Sequence, residues 1–334
     1  MDLKTLLKHT SRSLYLSVKM LPSKMRLPFG IAYLLCRYAD TIADTALLPA
    51  PRRLYWVEKF PQLVQEENIA EQETLARELT GTSENPYEAS LITHLTDCLK
   101  ELKRVAPDLK PYIYEVVAAV CEGMKIDLTT FPNNQAVHPV AFNTESELAL
   151  YCRLMGGKPG LFWSQLIYHT LCVKLPKEQF FELGQKIGDS LQIVNILRDL
   201  PKDLQNGRCY LPRTDLHMYG LAPAELQLKK NFKKFVPIQK KWTHWGKENL
   251  LHATAYYTAL PKTAFRVRAA VAWPMLWTAD TFAKLTQTPD LLNPQKRVKI
   301  SRVRVYATML VTPCILLSNR LFSWWINYKL NKLP

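Results

Sequence analysis

With 334 residues and 48% hydrophobic composition, the chain can build one large core or two domains, and no Gly/Ser-rich linker, repeat or low-complexity run divides it. The formal net charge of +15 calls for an anionic partner, but the basic residues are scattered without interleaved aromatics, which argues against nucleic acid and leaves a membrane surface or an anionic substrate. Seven cysteines without a C-x-x-C and seven histidines without an H-E-x-x-H argue against zinc. With no secretory leader in front, they fit reduced thiols in the cytoplasm.

Strict alternation of apolar and polar residues is hard to find. Helix-period spacing is common instead, as in Leu183, Ile187, Leu191, Val194 and Leu197, so an all-α fold is expected. Near the start, Ser11-Arg12-Ser13 sets two hydroxyls and a guanidinium among leucines, which suits either phosphate oxygens or a helix cap. Residues 28–46 read as one helix with a single polar stripe of Tyr33, Arg37, Asp40 and Asp44. A buried Arg37 must meet the aspartates or an anionic ligand. Residues 67–88 read as a loop plus a surface helix, residues 111–128 as an apolar helix, and Pro132 to Pro139 as a loop. Between 145 and 170, Gly156, Gly157, Pro159 and Gly160 predict a break or kink, which serves either a close approach to the backbone or a plain helix crossing.

Residues 183–205 form a second acidic helix with Gln192, Asn195, Asp199 and Asp203 in one stripe, and Pro201 is expected to bend or end it. A basic cluster from Lys229 to Lys241 reads as a solvated face, and Trp273 and Trp277 of a helix over 262–287 as core packing. Residues 305–326 are apolar but interrupted by Pro313, Asn319 and Arg320. With Trp324, Trp325, Tyr328, Lys329 and Lys332 behind them, they suit attachment in the membrane interface better than a span, or else a last core helix. Two parts are therefore expected: a folded body over 1–304, and a tail over 305–334 whose removal from about residue 319 weakens membrane association and spares the function of the body.

The most informative feature is the repetition of an i, i+4 aspartate pair, Asp40/Asp44 and Asp199/Asp203, each on an otherwise apolar helix. Facing helices of this kind would converge four carboxylates on one cavity, and hard Mg²⁺ suits carboxylate and phosphate oxygens. With Ser11-Arg-Ser13, Tyr33-x-x-x-Arg37-x-x-Asp40-x-x-x-Asp44, Tyr151 with Gly156-Gly157, Gln192-x-x-Asn195-x-x-Arg198-Asp199-x-x-x-Asp203 and Gly207-Arg208 in this order, the chain resembles the squalene/phytoene synthase family over nearly its full length.

The resemblance implies a single-domain, all-α isoprenoid-synthase fold with a central cavity, in the supply of sterol, hopanoid or carotenoid precursors. The tail and the positive charge suggest a place on the cytosolic face of a membrane, and a monomer is expected although nothing in the sequence fixes the oligomeric state. It implies Mg²⁺ held by Asp40, Asp44, Asn195, Asp199 and Asp203, and diphosphate held by Ser11, Arg12, Ser13, Arg37, Arg198 and Arg208. Tyr33 and Gln192 would contact substrate, and Tyr151 would accept the proton when the cyclopropane of presqualene diphosphate closes. Lys299-Ile-Ser-Arg302 resembles the late basic motif associated with NADPH, so two farnesyl diphosphates would give squalene. On one helix face, Lys299 and Arg302 suit NADPH phosphates, substrate diphosphate or lipid headgroups equally. Ala43, Thr45 and Ala270 depart from the squalene synthase pattern, which keeps dehydrosqualene, phytoene or hydroxysqualene formation without hydride transfer open. A non-catalytic relative would have lost its aspartates. A terpene cyclase would not need the Tyr-x-x-x-Arg stripe or the Gly-Arg element.

Overall fold

The computed structural model describes residues 3–11, 14–45, 48–66, 68–81, 86–131, 138–289, 291–295 and 297–333. Arg12, Ser13, Lys296 and most of the Pro132–Pro139 loop lie outside them. The chain divides into two compact units, one made of residues 1–132 and 165–170, the other of 133–164 and 171–334. Both are built from helices, in agreement with the 3.6-residue spacing of the apolar residues.

In the first unit, α1 (Leu3–Thr10), α2 (Leu14–Met20), α3 (Ser23–Asp44), α4 (Ala50–Gln65), α5 (Ile69–Leu79), α6 (Pro86–Thr93), α7 (Leu95–Lys103) and α8 (Lys110–Thr130) surround an apolar centre. α3, α4 and α8 pack against one another. Leu35 and Tyr38 of α3, Trp56 and Phe60 of α4 and Ile113 and Val117 of α8 are buried there, with the Tyr38 and Phe60 rings stacked at 5.3 Å. α5 was expected only as a surface helix. It is tied down by charge, because Glu78 accepts from Arg52 and, at 2.8 Å, from the Trp56 indole.

The second unit opens with β1 (Val140–Phe142), α9 (Glu145–Cys152), a π-helical segment (Arg153–Gly157) and α10 (Lys158–Thr170), whose last six residues cluster with the first unit. The glycines there do not break the chain. They widen one turn into a π segment and let it lie against α11 (Lys177–Gln205). A Cβ on Gly188 would sit 2.2 Å from the Gly156 carbonyl oxygen, and one on Gly160 would sit 2.3 Å from that of Gly184. The structure thus realises the helix crossing. Pro201 does not end α11, which runs four residues further and stops before Gly207, whose φ of 76° is open to glycine. β2 (Arg208–Pro212) then pairs in parallel with β1, with Val140 opposite Arg208. Sequence periodicity missed this sheet because three residues are too few to show alternation.

The unit is completed by α12 (Arg213–Met218), α13 (Phe232–Leu250), α14 (Ala253–Ala259), α15 (Phe265–Gln287), α16 (Arg302–Leu317) and α17 (Asn319–Leu330). Trp273 and Trp277 lie in the core, with the Trp273 indole donating to Thr312 at 2.8 Å. The lysines from Lys229 to Lys241 are exposed, as expected of a solvated face.

The segment expected as a detachable tail does not stand apart. Phe322, Ile326 and Leu330 are fully buried, and Phe322 stacks on Tyr257 at 3.8 Å. Asn319 accepts from the buried Arg268 at 2.7 Å. Lys329, read from sequence as an interfacial anchor, is buried against Asp280 of α15, which also takes Arg304 at 3.1 Å. Burial pulls the Lys329 ammonium below its ordinary pKa, and Asp280 offsets only part of that.

Truncation before Asn319 removes three fully buried apolar side chains, each contributing about 2 kcal/mol, a total comparable to the stability of a whole domain. The truncated chain is therefore expected to unfold or aggregate, as seen by circular dichroism and gel filtration. Asp280→Ala leaves a buried ammonium without its carboxylate and is expected to cost about 3 kcal/mol in urea unfolding. Lys329→Met leaves Asp280 with Arg304 and should fall within about 1 kcal/mol of the parent.

Candidate active site

The first group of functional side chains stands on α3. Its buried face carries Leu34, Leu35, Tyr38 and Ile42, which turns Tyr33, Arg37, Asp40 and Asp44 away from the core centre. Tyr33 Oη donates to the Thr10 carbonyl at 2.8 Å, fixing the end of α1 against α3. Arg37 is half-buried and bridges two carboxylates, Asp40 three residues on and Glu88 of α6. The partner demanded by burying Arg37 is thus Asp40, as expected, together with Glu88, which sequence reading passed over because it lies in a poorly patterned polar stretch. Asp44 ends the helix and is exposed.

Ser11 is buried, and its Oγ donates to the Leu7 carbonyl at 2.5 Å, so its hydroxyl serves the preceding turn. Its proposed companions Arg12 and Ser13 lie outside the described residues.

The second group stands on α11, with Ile193, Val194, Ile196, Leu197 and Leu200 buried and Gln192, Asn195, Arg198, Asp199 and Asp203 half-exposed. Asn195, Asp199 and Asp203, at i, i+4 and i+8, present an amide and two carboxylates along one face. Asp199 is the electrostatic centre of this face. Arg198 reaches it with Nε at 3.1 Å and a second nitrogen at 2.5 Å, and Arg297, from the segment before α16, adds Nε at 3.0 Å. Burial raises the pKa of the carboxyl, but the two guanidiniums outweigh it and hold the group below the ordinary aspartate value. Arg297 was not singled out from sequence, although it stands in the basic run from Lys296 to Arg304.

One turn before Gln192, Asp189 is fully buried and takes a forked set of bonds from Arg153, Nε at 3.0 and 3.1 Å and a terminal nitrogen at 2.8 Å. Burial still pushes its carboxyl above the ordinary value, with Arg153 holding it back in part. This pair was also missed, since the two residues are 36 positions apart. It pins the π segment to α11 and so fixes the end of α9, where Tyr151 lies.

Tyr151 is buried between Phe142 of β1 and Tyr210 of β2, with ring centroids 5.6 and 4.9 Å away. Arg208 is half-buried at the start of β2, placed there by the left-handed turn at Gly207. Lys299 and Arg302 correct an expectation. Lys299 lies outside any helix, before Ser301, which caps α16, and Arg302 is the first residue of that helix, so the two do not share a helix face. Both are exposed.

Each acidic helix therefore carries carboxylates already matched to arginines. Among the described residues, no three His, Cys, Asp or Glu side chains form a ready-made metal group. The donors on α11 are nevertheless the right kind for Mg²⁺: hard oxygens on a half-exposed face, with an arginine on Asp199 that a dication can replace.

The sequence profile of the squalene/phytoene synthase family matches residues 7–304. A bifunctional lycopene cyclase/phytoene synthase of Arthroderma gypseum is 27% identical over 71% of this chain and 38% of its own length. A squalene synthase of Schizosaccharomyces pombe is 23% identical over 88% of this chain and 61% of its own. The chain thus spans under two thirds of either relative. Among solved structures, the complex of TcSQS with the ligand BPH1237 superposes with a TM-score of 0.78 at 19% identity, covering 99% of this chain and 96% of that one. At that identity the likeness establishes the fold alone.

Because the folded pKa of Asp199 lies below the unfolded value of about 3.9, its pairing stabilises the protein above that pH, and the contribution is lost as pH falls through the folded value. Asp199→Asn, measured by urea unfolding in EDTA, should be less stable than the parent by a constant margin near neutral pH. The margin should close below about pH 4. A margin unchanged at low pH would show that the ionised carboxylate is not what the arginines hold.

Proposed function

We propose that this chain, which belongs to the squalene/phytoene synthase family, joins two farnesyl diphosphates head to head into presqualene diphosphate and reduces that intermediate with NADPH to squalene. The observation that carries the reading is the face of α11, where Asn195, Asp199 and Asp203 line up oxygen donors with Arg198 and Arg297 beside them. A face offering both carboxylates and guanidiniums suits a diphosphate that arrives with its cation.

Asn195, Asp199 and Asp203 would hold Mg²⁺ on α11, and Asp40 and Asp44 on α3. When bound, the ion neutralises the diphosphate and makes it a competent leaving group. The chain's own residues do the rest. Arg37, Arg198 and Arg208 bind phosphate oxygens, with the Ser11–Ser13 segment as a further contact. Tyr33 and Gln192 orient the donor. The allylic cation left behind is attacked by the 2,3-alkene of the second substrate, and Tyr151 takes the proton released as the cyclopropane closes. The aromatic wall of Phe142, Tyr151 and Tyr210 keeps water, which would quench the cation, away from that hydroxyl.

For the reduction, Lys299 and Arg302 are the candidate contacts to NADPH phosphates, both exposed and cationic. A second reading ends without hydride transfer, at dehydrosqualene, phytoene or hydroxysqualene. The kinship with a phytoene synthase favours it, and so does the separation of Lys299 from the helix that Arg302 begins. We also place the enzyme peripherally on the cytosolic face of a membrane. No described helix is long and apolar enough to cross one, and a hydrocarbon product has no place in water.

The deciding experiment is incubation with farnesyl diphosphate and Mg²⁺, with and without NADPH, followed by mass analysis. Squalene that forms only with NADPH is the expected result, and the same hydrocarbon under both conditions would establish the second reading. Asp44→Asn and Asp203→Asn are each expected to slow diphosphate release on the order of 100-fold or more while the circular dichroism spectrum stays unchanged. Normal turnover of either variant at saturating Mg²⁺ would remove that residue from the metal site.

A further inference from the structure

α16 is built inside out. The side chains it turns into the protein are Thr308, Thr312 and Ile315, two of them hydroxylic. Thr308 donates back to the Arg304 carbonyl at 2.9 Å, and Thr312 accepts from the Trp273 indole. The side chains it turns outward are Val303, Tyr306, Leu310, Cys314 and Leu317, at helical spacing on the opposite face. Leu310 is 82% exposed, Val303 76% and Leu317 73%. A helix on a water-facing surface carries the reverse pattern, polar outward and apolar inward. α17 continues the theme with Leu321, Trp324 and Tyr328 exposed, the two rings stacked at 5.5 Å.

The charge around this face is one-sided. Residues 291–334 contain eight Lys or Arg and no Asp or Glu. Arg297, Arg304 and Lys329 are engaged with Asp199 and Asp280. Lys299 and Arg302 stand exposed at the start of α16, and Arg320 and Lys332 are exposed on and after α17. An apolar stripe edged by cations, with a Trp and a Tyr in reach, matches the headgroup–acyl boundary of an anionic bilayer. A second copy of the chain fits poorly, because pairing would bring together two acid-free basic surfaces on molecules of net charge +15. A span is ruled out by length, since sixteen residues make a helix of about 24 Å against a hydrocarbon core of about 30 Å.

We propose that the outward face of α16, with the exposed aromatics of α17, is the surface by which this protein docks flat on an anionic lipid bilayer. The inference rests on the membrane-surface reading above and makes it specific. The contact is a face of the folded protein, and the packed helix α17 is not a detachable anchor.

The test is flotation of the full-length protein with vesicles of phosphatidylcholine, with and without phosphatidylglycerol. The parent is expected to float with the anionic vesicles and to be released by salt. Leu310→Gln/Leu317→Gln should lose on the order of 100-fold in partitioning while keeping its unfolding midpoint, since both residues face outward. Arg320→Gln/Lys332→Gln should lose only the preference for anionic vesicles. A parent that floats with neither vesicle would overturn the membrane reading itself. A leucine variant that floats as well as the parent would leave that reading standing and overturn the assignment of this face. A parent that sediments as a dimer which the leucine variant dissolves would show that a second copy covers the stripe.

Discussion

The carbonyls of Gly156 and Gly184 lie where Cβ atoms on Gly188 and Gly160 would have to go. This backbone contact between α11 and the segment from Arg153 to Gly160 determines much of the second unit. Two helices normally stand 8–10 Å apart because side chains hold them there. Removing the side chains lets main chain touch main chain, and the extra turn width of the π segment absorbs the mismatch. The pair of Arg153 with the buried Asp189 then locks the register, because each of its members sits on a different side of the crossing. Tyr151 at the end of α9 and Gln192 on α11 inherit their positions from that lock. The glycines are thus structural first, and the placement of Tyr151 and Gln192 depends on them.

Electrostatics explains the rest of the site. A half-buried carboxylate without a counter-ion is costly, so acids held at the margin of a core call for positive partners. Here arginines supply them: Arg37 for Asp40 and Glu88, Arg198 and Arg297 for Asp199. The same guanidiniums suit diphosphate. In the function proposed above, a cation taking the carboxylates would leave the arginines turned toward the anion it accompanies. The positive balance of the chain would serve that exchange on α11 and, in the docking proposed above, lipid attraction along α16.

The C-terminal helices illustrate how one composition supports two readings. Trp, Tyr and Lys near the end of a chain suit a membrane interface and a half-buried core helix equally well. What separates the two is the partner, and Asp280, more than forty residues upstream, claims Lys329. α17 is packed through Phe322, Ile326 and Leu330, while Val303, Leu310 and Leu317 of α16 stay outside.

The sequence alone determined the helical class, the two acidic stripes and the family, because 3.6-residue periodicity and i, i+4 spacing are local properties written within a few turns. It also determined that Arg37 needed an anionic partner, the aspartates or a ligand, since a guanidinium set in an apolar helix cannot go unpaired. Which acids answered was decided only by tertiary structure. Glu88 lies 51 positions from Arg37, Asp189 lies 36 from Arg153 and Arg297 lies 98 from Asp199. Nothing in the local pattern marks such pairs. The side of α16 that faces water was likewise beyond local reading. Its threonines and leucines alternate around the helix in a way that either orientation allows, and only the Trp273 indole, which donates to the Thr312 hydroxyl, and the buried surface of α15 chose between them.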